Sequence, residues 1–270
     1  MLSDKLSELV GEAGLSSFID FYYLLRYDED ADKHWARVMD RLSVPETFFW
    51  RQPDQFETLA QVIAPQYFAA NPKRTLRIWS AACCTGEEPI SIAMALAEAG
   101  LLHTHPIEIV GTDGSSAMVE RARAASYGQR SFRQAPPVLK DKYFVQADDG
   151  CLRPDKRLMR NITYAVANLA DRDQVANHAA ANVVFCRNVF IYFSDEAIRN
   201  TVRGFGEKMP EDGFLFLGAS ESLTRLAVDF ELAEVGKSFV YVKRGRRPLV
   251  ELPHKPFAER IDSTMARGSE

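Results

Sequence analysis

The chain holds 270 residues, 46% of them hydrophobic and 26% charged, an ordinary globular composition for one large domain or a large and a small one. A chain of this size buries roughly three-quarters of its unfolded surface, so a core needs neither disulfide nor metal to hold it. A net charge of -4 and a pI near 5.8 argue against nucleic-acid binding as the main business.

Residues 1–44 read as helices. Leu6, Leu9, Val10 and Ala13 recur at helical spacing, with Gly14 as a stop and Ser16 or Ser17 as the next N-cap. Phe18, Ile19, Phe21, Tyr22 and Leu25 form a second apolar series, Asp28 to Asp32 a solvated turn, and Trp35, Val38, Met39 and Leu42 a third. Asp4 and Glu8 stand at the start, with no basic stretch leading into an apolar one, so no signal peptide is expected. No run approaches the roughly 18 apolar residues that span a bilayer. The chain reads as cytoplasmic, monomeric and without membrane insertion.

From Leu76 the pattern alternates between strand and helix. Leu76–Ser80 is a short apolar strand, followed by an Ala-rich helix through Ile90 and Leu96 that stops at Gly100. Ile107–Thr112 is a second strand ending at Asp113, with Ser115 or Ser116 capping the helix that carries Met118, Val119 and Ala122. Asn182–Cys186 is a third strand, and a helix through Ile198, Val202 and Phe205 follows it. Phe214–Leu217 and Phe239–Val242 are late strands. Such alternation predicts an α/β fold, a mainly parallel sheet covered by helices on both faces. Residues 127–166 interrupt the rhythm with Pro136-Pro137 and Asp148-Asp149-Gly150, and read as a small, partly β insertion. After Lys243 the chain turns polar and carries Pro248, Pro253 and Pro256, as a linker or loosely docked extension would. Cys83, Cys84, Cys151 and Cys186 show no paired metal-ligand spacing and read as buried free thiols.

In doubly wound sheets, ligands bind beyond the carboxyl ends of the strands, near the first strand-to-helix turn. That turn here runs from Ser80 to Pro89, through Ala81, Ala82, Cys83, Cys84, Thr85, Gly86, Glu87 and Glu88. Small residues let a ligand approach the backbone, but neither a three-glycine dinucleotide fingerprint nor a phosphate loop is present. Two acids at a helix start repel a pyrophosphate and suit a cofactor carrying positive charge, such as S-adenosylmethionine with its sulfonium and amino group. Asp113, directly after the second strand, stands where an acid commonly accepts hydrogen bonds from ribose hydroxyls. Asn168-Leu169 and Arg187-Asn188 follow further strand-like runs, at places expected for adenine and methionine contacts. The aromatic run Phe48-Phe49-Trp50 either closes this cleft or packs in the core.

Four stretches resemble the chemotaxis receptor glutamate O-methyltransferases of the CheR type, over about Leu15 to Lys243. They are Glu46 to Arg51, Ile78 to Ala81 with Thr85 to Pro89, Phe185 to Phe193, and Phe214 to Ser222. The resemblance implies a Rossmann-like S-adenosylmethionine methyltransferase domain over 61–244, with a small β-subdomain inserted at 127–166. An N-terminal helical domain and linker over 1–60 would precede it, and 245–270 would be a polar tail. Cofactor contacts carry over onto Thr47, Arg51, Glu87, Asp113, Asn168, Leu169, Arg187 and Asn188. The methyl-accepting pocket carries over onto Arg187 and Tyr192, with Arg51 or Arg187 orienting a carboxylate. The implied reaction is methyl transfer to glutamate carboxylates in the cytoplasmic part of a methyl-accepting receptor, leaving S-adenosylhomocysteine.

Several positions depart from the family pattern. Pro45 replaces an asparagine, Gly114 an apolar residue after the ribose-binding acid. The chain begins about where the family's second helix would start, and Glu8, Leu9 and Gly11 stand where that helix is rich in arginine, leaving Lys5. That change keeps two other readings open: a non-catalytic cofactor-binding scaffold, and a small-molecule carboxyl methyltransferase with a closed acceptor pocket.

Overall fold

The computed structural model describes residues 2–42, 46–226 and 228–245. Pro45 and the extension expected beyond Gly245 lie outside the described residues.

The first three amphipathic series form α1 (Leu2–Glu12), α2 (Phe18–Tyr27) and α3 (Ala31–Leu42). Ser17 caps α2, its hydroxyl accepting from the Asp20 amide at 3.1 Å. These helices share a small core of their own, built on Leu9, Val10, Phe21 and Val38. Ion pairs Glu8–Arg41 and Glu12–Arg37 tie α1 to α3. Glu8 and Leu9 therefore serve the internal packing of this unit. The outer face of α2 is left aromatic, with Ile19, Tyr22, Tyr23 and Tyr27 all exposed.

α4 (Pro53–Thr58) continues through a π-helical turn, Leu59–Ile63, into α5 (Ala64–Ala70). Its apolar side, Phe56, Leu59, Val62 and Ile63, packs in the main core rather than with α1–α3. A boundary at residue 60 would thus cut through one continuous helix; the separate helical unit ends with α3.

The α/β expectation holds. Strands β1 (Leu76–Ala81), β2 (Ile107–Asp113), β5 (Ile162–Val166), β6 (Val183–Cys186), β7 (Phe214–Leu217), β8 (Phe230–Val235) and β9 (Ser238–Lys243) form one sheet among the described residues, ordered β5-β2-β1-β6-β7-β9-β8. β1 pairs in parallel with both β2 and β6, whereas β9 runs antiparallel to β7 and β8. The chain thus winds outward in both directions from β1, and the gap between β1 and β6 is the switch point where such sheets bind ligands. α6 (Glu87–Glu98) and α7 (Ser116–Ala124) follow β1 and β2, while α10 (Arg172–His178) and α11 (Asp195–Lys208) flank β6. β1, β6 and β7 are almost wholly buried, which is why they read as continuous apolar runs. One core lies on the α4–α6 face and a second, around Trp79, Val184, Phe205 and Leu215, on the α10–α11 face.

The stretch between α7 and β5 holds α8 (Pro137–Tyr143), the antiparallel pair β3 (Phe144–Gln146) and β4 (Leu152–Pro154), and α9 (Lys156–Met159). The insertion expected over 127–166 is corrected at its far end. Ile162–Val166 is strand β5, paired in parallel with β2 from Ile109↔Ile162 to Asp113↔Val166. Its edge position leaves Thr163 and Val166 exposed, so it lacks the apolar run that marks the central strands. The thiols of Cys83 and Cys186 are buried; those of Cys84 and Cys151 are partly exposed, which corrects the expectation for that pair.

Candidate active site

A cavity of about 380 Å³ opens at the carboxyl ends of β1, β2, β5 and β6, within the volume range of small-molecule sites. Its floor is the β1–α6 turn, where Ala82 and Cys84 take left-handed backbone angles, with φ of 60° and 51°. Asn188 does the same after β6, with φ of 59°. Non-glycine residues held in this region each cost on the order of 1–2 kcal/mol, and such strain gathers where a ligand must meet the backbone.

Asp113 ends β2 and faces the cavity. One carboxylate oxygen accepts from the Cys84 amide and the other from the Ser115 amide, both at 2.9 Å. A carboxylate has roughly four lone-pair sites, so acceptor capacity remains for a hydroxyl donor on a ligand. Ser115 in turn caps α7 and donates its hydroxyl to Asp40 of α3 at 2.5 Å. Beside Asp40, Met39 and Leu42 line the cavity. A Cβ on Gly114 would sit 2.9 Å from Met39 Cε, so glycine at that position makes the room that α3 fills.

Across the cavity lies Arg187, its side chain 2% exposed. Nη1 stands 3.3 Å from Glu88 Oε2, an ion pair without hydrogen-bond alignment, and Nη2 donates to the Arg51 carbonyl. Nε and Nη1 are buried with no hydrogen-bond partner among the described residues. Two guanidinium nitrogens left without a hydrogen-bond acceptor are costly, and a planar pair of donors fits a carboxylate bidentately. Glu88 is held by the Ser80 hydroxyl at 2.6 Å. Arg51 lies near the Phe48 ring, 5.4 Å from its centroid, and donates to the Glu46 carbonyl at 2.9 Å.

The cavity thus brings together Thr47, Arg51, Asp113, Asn168, Leu169, Arg187, Asn188 and Tyr192. Glu87 is the exception, and its placement corrects the sequence expectation. Its carboxylate is turned into the protein, accepting from Thr85 Oγ1 at 2.6 Å and Ser131 Oγ at 2.9 Å, and it does not line the cavity. There it fastens the 127–161 segment to the β1 turn, while Glu88 is the acid that reaches the cavity. Successive helix residues point about 100° apart, so one of two adjacent acids had to face away. Met39, Leu42, Phe56 and Met118 also line the site and were not singled out, because α3 and α4 reach it only through tertiary packing. Of the aromatic run, Phe48 lines the cavity, whereas Phe49 and Trp50 are buried in the main core.

Burial is the main cause that raises the pKa values of Asp113 and Glu88, against the hydrogen bonds of Ser115 and Cys84 to the first and the pull of Arg187 on the second. Burial likewise lowers the pKa of Arg187, which still keeps its proton at any ordinary pH. The two acids bind more protons folded than unfolded in the window from about pH 4 up to their raised values. Their contribution to stability is therefore present below the unfolded pKa and is lost as pH rises through the folded values. A cationic ligand restores the ionised forms and expels those protons. Its affinity is expected to fall as pH drops through this window, with proton release visible by calorimetry in buffers of different ionisation enthalpy. Equal affinity across the window would remove both acids from the site.

The residues fit S-adenosylmethionine: two acids for its cationic and hydroxyl groups, a bidentate donor for its carboxylate, and apolar walls for a base. The family model described as CheR methyltransferase, SAM binding domain, matches residues 45–239. Chemotaxis protein methyltransferase 2 of Vibrio cholerae is 33% identical over 228 residues, covering 84% of this chain and 79% of that protein. Chemotaxis protein methyltransferase 1 of Pseudomonas aeruginosa is 30% identical over 247 residues, covering 89% of this chain and 88% of that protein. The probable biofilm formation methyltransferase WspC of Pseudomonas aeruginosa is 32% identical over 234 residues, 81% of this chain and 55% of that protein. No helix among the described residues is long and apolar enough to cross a membrane. With the matched stretch spanning β1 to β8 and every wall of the cavity but α3, the chain belongs to the CheR methyltransferase family, with S-adenosylmethionine as its cofactor.

Proposed function

We propose that this protein transfers methyl groups to glutamate side chains in the cytoplasmic domain of a methyl-accepting chemotaxis-type receptor, forming glutamate methyl esters. One observation carries the reading. A buried guanidinium with two nitrogens that find no hydrogen-bond acceptor among the described residues shares its cavity with Tyr192, which is 61% exposed. The inner end is built for a carboxylate on a bound small molecule, and the outer end lies open to a macromolecule. A closed small-molecule acceptor pocket would not leave its tyrosine so accessible. The relatives named as chemotaxis methyltransferases support the receptor as partner.

When bound, S-adenosylmethionine supplies a methyl carbon made electrophilic by its sulfonium. Asp113 accepts from the ribose hydroxyls, Glu88 sits toward the positive charge, and Arg187 holds the methionine carboxylate. Asn168, Leu169 and Asn188 border the nucleoside, and Thr47 and Arg51 close the near wall. Arg51 and Tyr192, nearer the mouth, orient the incoming glutamate. That side chain has an ordinary pKa near 4.3 and arrives ionised. Its oxygen forms the new bond as the carbon–sulfur pair returns to sulfur, so no proton moves and no general base is required. Alignment and exclusion of water supply the acceleration, on the order of 7–11 kcal/mol in a well-oriented site.

Incubation with labelled cofactor and receptor-bearing membranes is expected to give base-labile methyl groups on the receptor. Tyr192→Phe is expected to lower turnover by about tenfold, the loss of one transition-state hydrogen bond, with cofactor affinity kept. Absence of base-labile label with the wild-type protein would remove the receptor reading.

A further inference from the structure

β6 and β7 lie side by side in parallel, with Cys186 opposite Leu217, so the loops that follow them leave the sheet at one level. The first loop carries Arg187 to Tyr192. The second, Gly218-Ala219-Ser220-Glu221-Ser222, has no part in the reaction as described. Its Glu221 reaches back across the gap. Oε2 accepts from the amides of Asn188 and Gly218 and Oε1 from the amide of Phe190, each at 2.7 Å. Three backbone donors on one carboxylate are charge-assisted bonds, about twice as strong as neutral ones.

The grip explains two local features. Asn188 keeps its left-handed backbone, where its amide points at Glu221, and Asn188 folds over Gly218 so closely that a Cβ there would lie 2.6 Å from Nδ2. Downstream, the Tyr192 amide donates to the Val189 carbonyl at 3.1 Å, so Tyr192 rides on the clamped turn. Arg187 is anchored otherwise, through Glu88 and the Arg51 carbonyl.

We propose that Glu221 is a positioning residue for the acceptor side of the site: it fixes the Asn188–Tyr192 loop, and with it Tyr192, while the hydrogen bond of Arg187 goes to the Arg51 carbonyl. This rests on the reading that Tyr192 faces the incoming carboxylate.

The test compares Glu221→Gln with Tyr241→Phe in the full chain. Glutamine keeps one oxygen and turns an NH2 toward an amide donor. Tyr241 Oη accepts from the Leu223 amide at 3.0 Å, so its loss disturbs the same segment without touching Asn188. In Glu221→Gln the amides of Asn188 and Phe190 are expected to exchange at least about tenfold faster, with those of Val184 and Leu215 unchanged. Turnover on receptor membranes is expected to fall at least about tenfold, and S-adenosylhomocysteine affinity by a smaller factor, since Asn188 also borders the nucleoside. Tyr241→Phe is expected to keep turnover within about twofold. The proposal is overturned if exchange at Asn188 and Phe190 is unaltered, or if turnover falls in Glu221→Gln by no larger a factor than cofactor affinity does. Should the wild-type protein label no receptor, the receptor reading fails, and exchange at Asn188 and Phe190 still decides whether Glu221 holds this loop.

Discussion

Asp113→Ala is expected to weaken S-adenosylhomocysteine binding by at least about 100-fold, since two hydrogen bonds to a charged acceptor are lost at about 1.5–3 kcal/mol each. Asp113 serves the ligand and its own surroundings at once. Its oxygens hold the Cys84 and Ser115 amides, and so fix both the left-handed β1 turn and the start of α7. Alanine removes the ligand's acceptors and releases the turn beneath it. Asp113→Asn, which keeps one oxygen, is expected to fall between wild type and alanine in calorimetry. Wild-type affinity in the alanine variant would show that the cofactor lies elsewhere.

The largest effect on stability is expected at Arg187. Arg187→Met fills most of the volume but leaves Glu88 buried without its partner, and breaking one side of a buried pair costs about 3–5 kcal/mol. For a chain of this size that lowers the melting temperature by about 6–20 °C. Adding Glu88→Gln removes the stranded charge and is expected to recover part of the loss, though not activity. A double variant no more stable than Arg187→Met alone would show that the pair contributes little in the fold. Both Arg187 variants are expected to lose methyl transfer, since neither offers the planar fork.

The sheet was legible because its central strands are buried on both faces and so appear as unbroken apolar runs, each closed by a cap or a small residue. The caps were readable to within one residue, as Ser16 or Ser17 and as Ser115 or Ser116, and Ser17 and Ser115 fill them. β5 was misplaced because an edge strand keeps exposed residues, and Ile162-Thr163-Tyr164-Ala165-Val166 looks no more like sheet than like insertion. Residues 53–70 went unread as a helix; Pro53 and Pro65 suggest breaks, yet Pro53 stands in the first turn, where a missing N–H costs nothing, and Pro65 follows directly on a π-turn that carries the chain through. At the site, Asp113, Asn168, Leu169, Arg187 and Asn188 were found because they follow strands, and Thr47, Arg51 and Tyr192 through the family resemblance. The exchange of roles between Glu87 and Glu88 was not, since adjacent acids differ only in which way the helix turns them. Glu221 was visible as part of a motif, but its work depends on two loops that meet only once β6 and β7 pair.

Gly114 and Asp40 give the pocket a wall drawn from another unit. α3 packs with α1 and α2 in a separate core, yet Met39 and Leu42 border the cofactor cavity, and Asp40 accepts from Ser115 beside Asp113. Occupancy of the nucleoside pocket and the seating of the three-helix cap are therefore one equilibrium observed from two ends. By linkage, whatever factor a filled pocket adds to the seating of the cap, a firmly seated cap returns to the affinity for nucleoside. The aromatic face of α2 is thus joined energetically to a cavity it does not touch.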